Sequence, residues 1–114
     1  MELSSRLIGT VQVLLVQGRI DHAHANAFEV AMAPYLAACQ GEQSLVLNFS
    51  GVPFISSVGL RVLMLAAKQV KTQQGRLAIA ALTPIVAEVF QVSRFNLVLR
   101  VFDTPDAAAA ALSS

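Results

Sequence analysis

The sequence predicts an α/β fold of element order ββαβαβαβα, a mixed but mostly parallel sheet with helices packed on it, and three observations carry that prediction. Nearly continuous apolar runs of strand length alternate with longer segments whose apolar residues recur at offsets of three and four. Glycine or Thr-Pro punctuation separates them. Strands alternating with helices in this way need crossover connections, which are right-handed and lay the helices against parallel strands. The chain has 114 residues, the size of one ordinary domain, so a single domain over residues 1–114 is expected.

Taken in order, Leu3 to Ile8 and Val11 to Gln17 flank Gly9-Thr10, a short break with a residue that tolerates positive φ. That spacing predicts a hairpin, with one antiparallel strand near an edge of the sheet. In "DHAHANAFEVAMAPYLAACQG" the residues Phe28, Ala31, Met32, Tyr35, Leu36 and Cys39 form one apolar helix face that ends at Gly41. Pro34 removes a backbone donor inside it, so a bend or short break near Val30 to Ala33 is expected. "SLVLNF", Ser44 to Phe49, is the run of a central strand covered on both faces. Val58 to Lys71 follows as a surface helix, with Leu60, Leu63, Met64, Ala67 and Val70 on the stripe and Arg61, Lys68 and Lys71 away from it. After Gly75, "RLAIAAL" is a strand. Thr83-Pro84 opens a helix, with threonine at the cap and proline at the first helical position. Thr104-Pro105 repeats that signal between the strand "LVLRVF" and the helix "DAAAAAL".

Composition removes several function classes. Hydrophobic residues make up 55% of the chain and charged residues 13%, which excludes disorder. No apolar run approaches the roughly 18 residues of a membrane span. The opening "MELSSRLIGT" has neither the basic head nor the apolar stretch of a secretory signal, so a soluble protein with a cytoplasmic address is expected, with no direct membrane insertion. The net charge of +1 and the scattered basic residues leave no footprint for nucleic acid. Cys39 is alone and forms neither a disulfide framework nor a metal cluster; it reads as a small buried hydrophobe.

The loops that leave the carboxyl ends of parallel strands line one rim, where ligands and partners meet such sheets. Two rim loops stand out: "GRIDHAHA" after the second strand and "SGVPFISSVG" after the third. If those strands are neighbours, Asp21 and the serines Ser56 and Ser57 share the rim. One serine caps the next helix. Neither has Glu or Gln three residues later, so the capping box is missing. A phosphate here would meet unpaired N–H groups and the positive end of the helix dipole. Catalysis by Ser57 fits poorly, because G-x-S-x-G needs a glycine where Ile55 stands. His22 and His24 on a helix point about 200° apart and make no paired site, and no metal site is implied. The glycines match neither G-x-G-x-x-G nor the Walker spacing, so no nucleotide cofactor is expected. Gly18, Gly51 and Gly59 suit tight strand exits, Asp21 suits a loop or cap, Leu60 and Met64 suit the core, and Arg61 is solvated or faces a partner.

Together "VQGRIDHAHANAFE", "SLVLNFSGVPFISSVGLRVLMLAAKQVKTQQGRLAIAAL" and "TPIVAEVFQVSRFNLVLRVFDTPDAAAAAL" resemble the STAS domain, in particular stand-alone anti-sigma factor antagonists of bacteria. The likeness runs nearly the whole chain, and "FISSVGLRVL" after an apolar strand is its most specific piece. It implies a STAS-like fold and a binding protein, not an enzyme, that is switched by phosphorylation, with Ser57 as acceptor and Ser56 as the second candidate. The implied partners are an anti-sigma factor that is also a serine kinase, bound only by the unphosphorylated form, and a phosphatase that restores that form. The implied docking surface comprises Gly18, Asp21, Ser56, Ser57, Gly59, Leu60 and Arg61. The chain departs from the family at Ser56 and Asn48, where an acidic residue is frequent. Similar domains also serve as constitutive subunits, for instance in a phospholipid-transporting ABC complex, which is the alternative reading.

Overall fold

Five strands lie side by side in chain order in the computed structural model, which describes residues 1–113: β1 (Leu3–Ile8), β2 (Val11–Gln17), β3 (Ser44–Gly51), β4 (Arg76–Ala80) and β5 (Arg100–Phe102). Helices α1 (Ala25–Ala38), α2 (Ser57–Thr72), α3 (Pro84–Val92) and α4 (Pro105–Leu112) complete the predicted ββαβαβαβα order. β1 runs antiparallel to β2 at one edge, and β2 to β5 are mutually parallel, with β3 central. The hairpin closes at Ile8↔Val11, and Gly9 supplies the positive φ (63°) that the first position of so tight a loop requires.

Strand alternation sends side chains to two cores. Leu14 and Val16 of β2, Leu45, Leu47 and Phe49 of β3 and Ile79 of β4 face the layer of α1, α2 and α3. Val11, Val13, Val46, Ala78 and Ala80 face the other side, where Ala108, Ala109 and Leu112 of α4 cover them. Alanine meets alanine across that second interface, so the alanine-rich helix lies close to the sheet. Thr104 caps α4 by accepting the Ala107 N–H at 3.0 Å.

Three expectations are corrected. α1 is helical on both sides of Pro34, so the short break expected near Val30 to Ala33 does not occur. The missing donor strands the Val30 carbonyl, but Val30 and Pro34 lie on the exposed face, so the freed carbonyl is not buried in the core. The final strand is only Arg100–Phe102; Phe95–Leu97 instead form a 3₁₀ turn behind a left-handed Arg94 (φ 58°). Phe95 is drawn in against Phe90, ring centroids 5.2 Å apart, which leaves Leu97 79% exposed and Val98 46%. In α2 the buried stripe is Gly59, Val62, Leu63, Ala66 and Val70, with Leu60 half-buried and Met64 36% exposed. Gly59 sets that rotation. A Cβ there would lie 2.7 Å from Ile55 and 2.8 Å from Ile20, so the helix comes closest to the sheet at a residue that a hydrophobic stripe omits.

Candidate functional site

The two rim loops are stitched together by backbone. Because β2 and β3 are parallel neighbours, the chains leaving them stay paired beyond a register shift between Leu15 and Gln17: Gly18 N–H donates to Gly51 O (2.9 Å), Ile20 N–H to Phe54 O (3.0 Å) and Ser56 N–H to Ile20 O (2.8 Å). Ile20 and Ile55 form an isolated parallel bridge, and both are buried. Asp21 and Ser56-Ser57 therefore emerge side by side from one anchored pair. Gly18 has φ 107°, a backbone setting that favours glycine, as a tight strand exit requires. Thr83 ties in the third loop: its hydroxyl donates to Val52 O at 2.8 Å instead of capping α3.

The adjacent serines are divided by the turn into α2. Ser56 sits at the N-cap with extended backbone, is 9% exposed, and its Oγ accepts the Gly59 N–H at 3.2 Å. Ser57 is the first helical residue and is exposed. Its hydroxyl has no hydrogen bond among the described residues, nor do its own N–H and that of Val58, the unpaired donors that every helix start carries. The site is thus a free hydroxyl beside two free amide donors at the positive end of a helix of 16 residues.

Asp21 is committed locally. Its Oδ1 accepts the backbone N–H of Ala23 and of His24, each at 3.1 Å, and pairs with His24 Nδ1 at 2.7 Å. The His24 bond is the chief reason its carboxyl lies below the ordinary value. Its other oxygen lies 3.6 Å from Arg19 Nε, and the Arg19 guanidinium stacks 4.7 Å over the Phe54 ring, clasping the two loops from outside. Sequence reasoning passed over Arg19 and Phe54, although both lie inside the quoted loops. A basic residue and an aromatic, each flanking a strand exit, are the signal it could have used. Asn48 lies back on the α4 side, where its Oδ1 accepts the Ser50 N–H at 3.0 Å.

Of the residues proposed for partner contact, Gly18, Asp21, Ser57, Leu60 and Arg61 retain surface. Ser56 and Gly59 are buried: the Ser56 hydroxyl is engaged in the cap, and Gly59 is enclosed by Ile20 and Ile55. Cys39 is buried; burial raises its thiol pKa, and Sγ approaches Arg76 O at 3.4 Å. Among the described residues no helix is long and apolar enough to cross a membrane.

Comparison with known proteins agrees with this architecture. The model of the STAS domain family matches residues 3–108. A Bordetella bronchiseptica protein, BtrV, provisionally named an anti-sigma factor antagonist, is 36% identical over 114 residues, covering 100% of this chain and 97% of its own. The structure of an anti-sigma factor antagonist from Mycobacterium paratuberculosis superposes with a TM-score of 0.86 at 25% identity, over 99% of this chain and 94% of the other. SpoIIAA of Bacillus shares the fold at 16% identity in two states. Its unphosphorylated form gives a TM-score of 0.75 over 98% of this chain and 96% of the other. Its phosphorylated form gives 0.68 over 97% and 99%.

Proposed function

Because this chain belongs to the STAS domain family, we propose that it is an anti-sigma factor antagonist whose docking on its anti-sigma factor is abolished by phosphorylation of Ser57. In this reading the unphosphorylated chain binds an anti-sigma factor that is also a serine kinase, and so releases the sigma factor. The kinase transfers the γ-phosphoryl group of ATP to Ser57 Oγ, the hydroxyl proton leaves, and ADP departs. A phosphatase hydrolyses the ester and restores the binding form. The chain is a substrate and a ligand in this cycle, working in the cytoplasm without a cofactor, and it catalyses no step.

One observation carries the proposal: of two adjacent serines, Ser57 is the exposed one with an unengaged hydroxyl. A kinase can reach it without undoing the cap made by Ser56. The helix start supplies donors and dipole for the phosphate, so the modified chain stays folded. The added charge of about −1.5 to −2 falls on the docking rim, where it opposes an acidic or apolar partner surface. Support from relatives is consistent in kind: SpoIIAA, which shares the fold, has been solved in unphosphorylated and phosphorylated forms.

The test is to incubate the chain with ATP and the anti-sigma factor kinase of its own cell and to map phosphate by mass spectrometry. The expected result is a single phosphate on Ser57 that disappears in Ser57→Ala. Absence of label, together with stable co-purification with a transporter ATPase, would instead establish the constitutive-subunit reading.

A further inference from the structure

Helix α2 carries an uneven charge. Three of the eight basic residues of the chain, Arg61, Lys68 and Lys71, lie in it, and none of the seven acidic residues does. Ser57, Arg61, Met64, Leu65 and Lys68 are exposed along it, with Met64 and Leu65 forming an apolar centre between the two cations. Arg61 has no ion pair or hydrogen bond among the described residues. The other cation of the rim, Arg19, is already held by Asp21 and Phe54.

We propose that this face of α2 docks an acidic, apolar-centred surface of the anti-sigma factor, and that Arg61 pairs with a partner carboxylate when Ser57 is bare and with the phosphate when Ser57 is modified. The inference rests on the phosphoswitch reading and adds the partner's chemistry and the residue through which the switch acts. Charge complementarity selects the occupant: an apolar patch between unpaired cations, on a helix without acids, suits carboxylates around an apolar knob. Spacing selects Arg61. Residues four apart on a helix are neighbours, and an anion N-terminal to a cation at that spacing is the favourable order. A guanidinium binds phosphate through two parallel N–H bonds. Phosphorylation then acts twice, by repelling the partner's carboxylates and by withdrawing the cation that they used. Lys68, 11 residues from Ser57 and about 16 Å along the axis, remains available to the partner in both states.

The experiment compares wild type, Arg61→Gln and Lys68→Gln, each with serine and with phosphoserine installed at position 57. Affinity for the purified anti-sigma factor kinase is measured alongside a ³¹P NMR titration of the phosphoserine. Both substituted residues are exposed, so the variants fold. Each substitution is expected to weaken the bare form about fivefold. Only Arg61→Gln should raise the second pKa of the phosphoserine, by about 0.3 of a pH unit, and reduce the fold-loss caused by phosphate. Unchanged affinity in Arg61→Gln, or a phosphoserine pKa indifferent to Arg61, overturns the proposal while a phosphate-dependent loss of binding keeps the switch standing. Equal affinity of wild type with and without phosphate, or no binding in either state, removes both. Should Arg61→Gln leave kinase binding intact but abolish binding to phosphatidylserine vesicles, the face belongs to lipid and the proposal fails.

Discussion

Ser56 and Ser57 are chemically identical and structurally opposite, and a single peptide unit makes the difference. Extended backbone at Ser56 turns its hydroxyl back onto the Gly59 N–H, whereas Ser57, already helical, turns its hydroxyl to solvent. The two roles separate on mutation. Ser56→Ala removes a cap and leaves a buried N–H unpaired, a loss of about 1 kcal/mol and a Tm lowered by about 4 °C. Ser57→Ala removes no bond and should shift stability by less than about 0.5 kcal/mol, while abolishing phosphate uptake. Thermal melts of the two variants check this, and a larger destabilisation from Ser57→Ala would mean that the cap has been assigned to the wrong serine. From the sequence both serines were candidates, because a capping preference selects a residue type and does not select between neighbours.

At the scale of elements, the strands and their order were legible because apolar runs, glycine stops and Thr-Pro starts are local signals. β1 and β2 begin and end where the pattern places them. Features decided by tertiary contact were not legible. Phe95 docks on Phe90 and shortens the last strand, although "LVLRVF" alone has the composition of a longer one. Pro34 lies on the solvent-facing side of α1, where a freed carbonyl is least costly, a matter of which face is buried and not of propensity. The rotation of α2 depends on Gly59, which carries no side chain for a pattern to register. Gly59→Ala should therefore cost about 1–3 kcal/mol, since its Cβ would press on Ile55, Ile20 and the Ile20 carbonyl, the anchored pair of the rim. Urea unfolding measures it. A neutral outcome would show that the helix start is free to move away from the sheet.

For the molecule as a whole, the parallel order β2-β3-β4 gathers three strand exits on one rim, and backbone bonds lock the first two of them. The sequence placed Asp21 and the serines on one rim on the condition that their strands are neighbours; β2 and β3 pair directly, and the bridge at Ile20 and Ile55 extends that pairing into the loops. It did not reveal that Asp21 is engaged by His24 and Arg19, because those bonds depend on how the loop folds back. On the proposed reading the Ser57 hydroxyl, exposed and unengaged at the start of α2, should take up the phosphate charge without disturbing the backbone bonds of the rim, so the switch should act on the surface and not on the fold. The most direct measurement is calorimetric affinity for the anti-sigma factor kinase before and after stoichiometric phosphorylation of Ser57, with circular dichroism of both forms. The account predicts an affinity reduced at least about a hundredfold, with superimposable spectra, as expected for desolvated like charges at an interface. Equal affinity of the two forms, or a loss of binding that accompanies loss of structure, would contradict it.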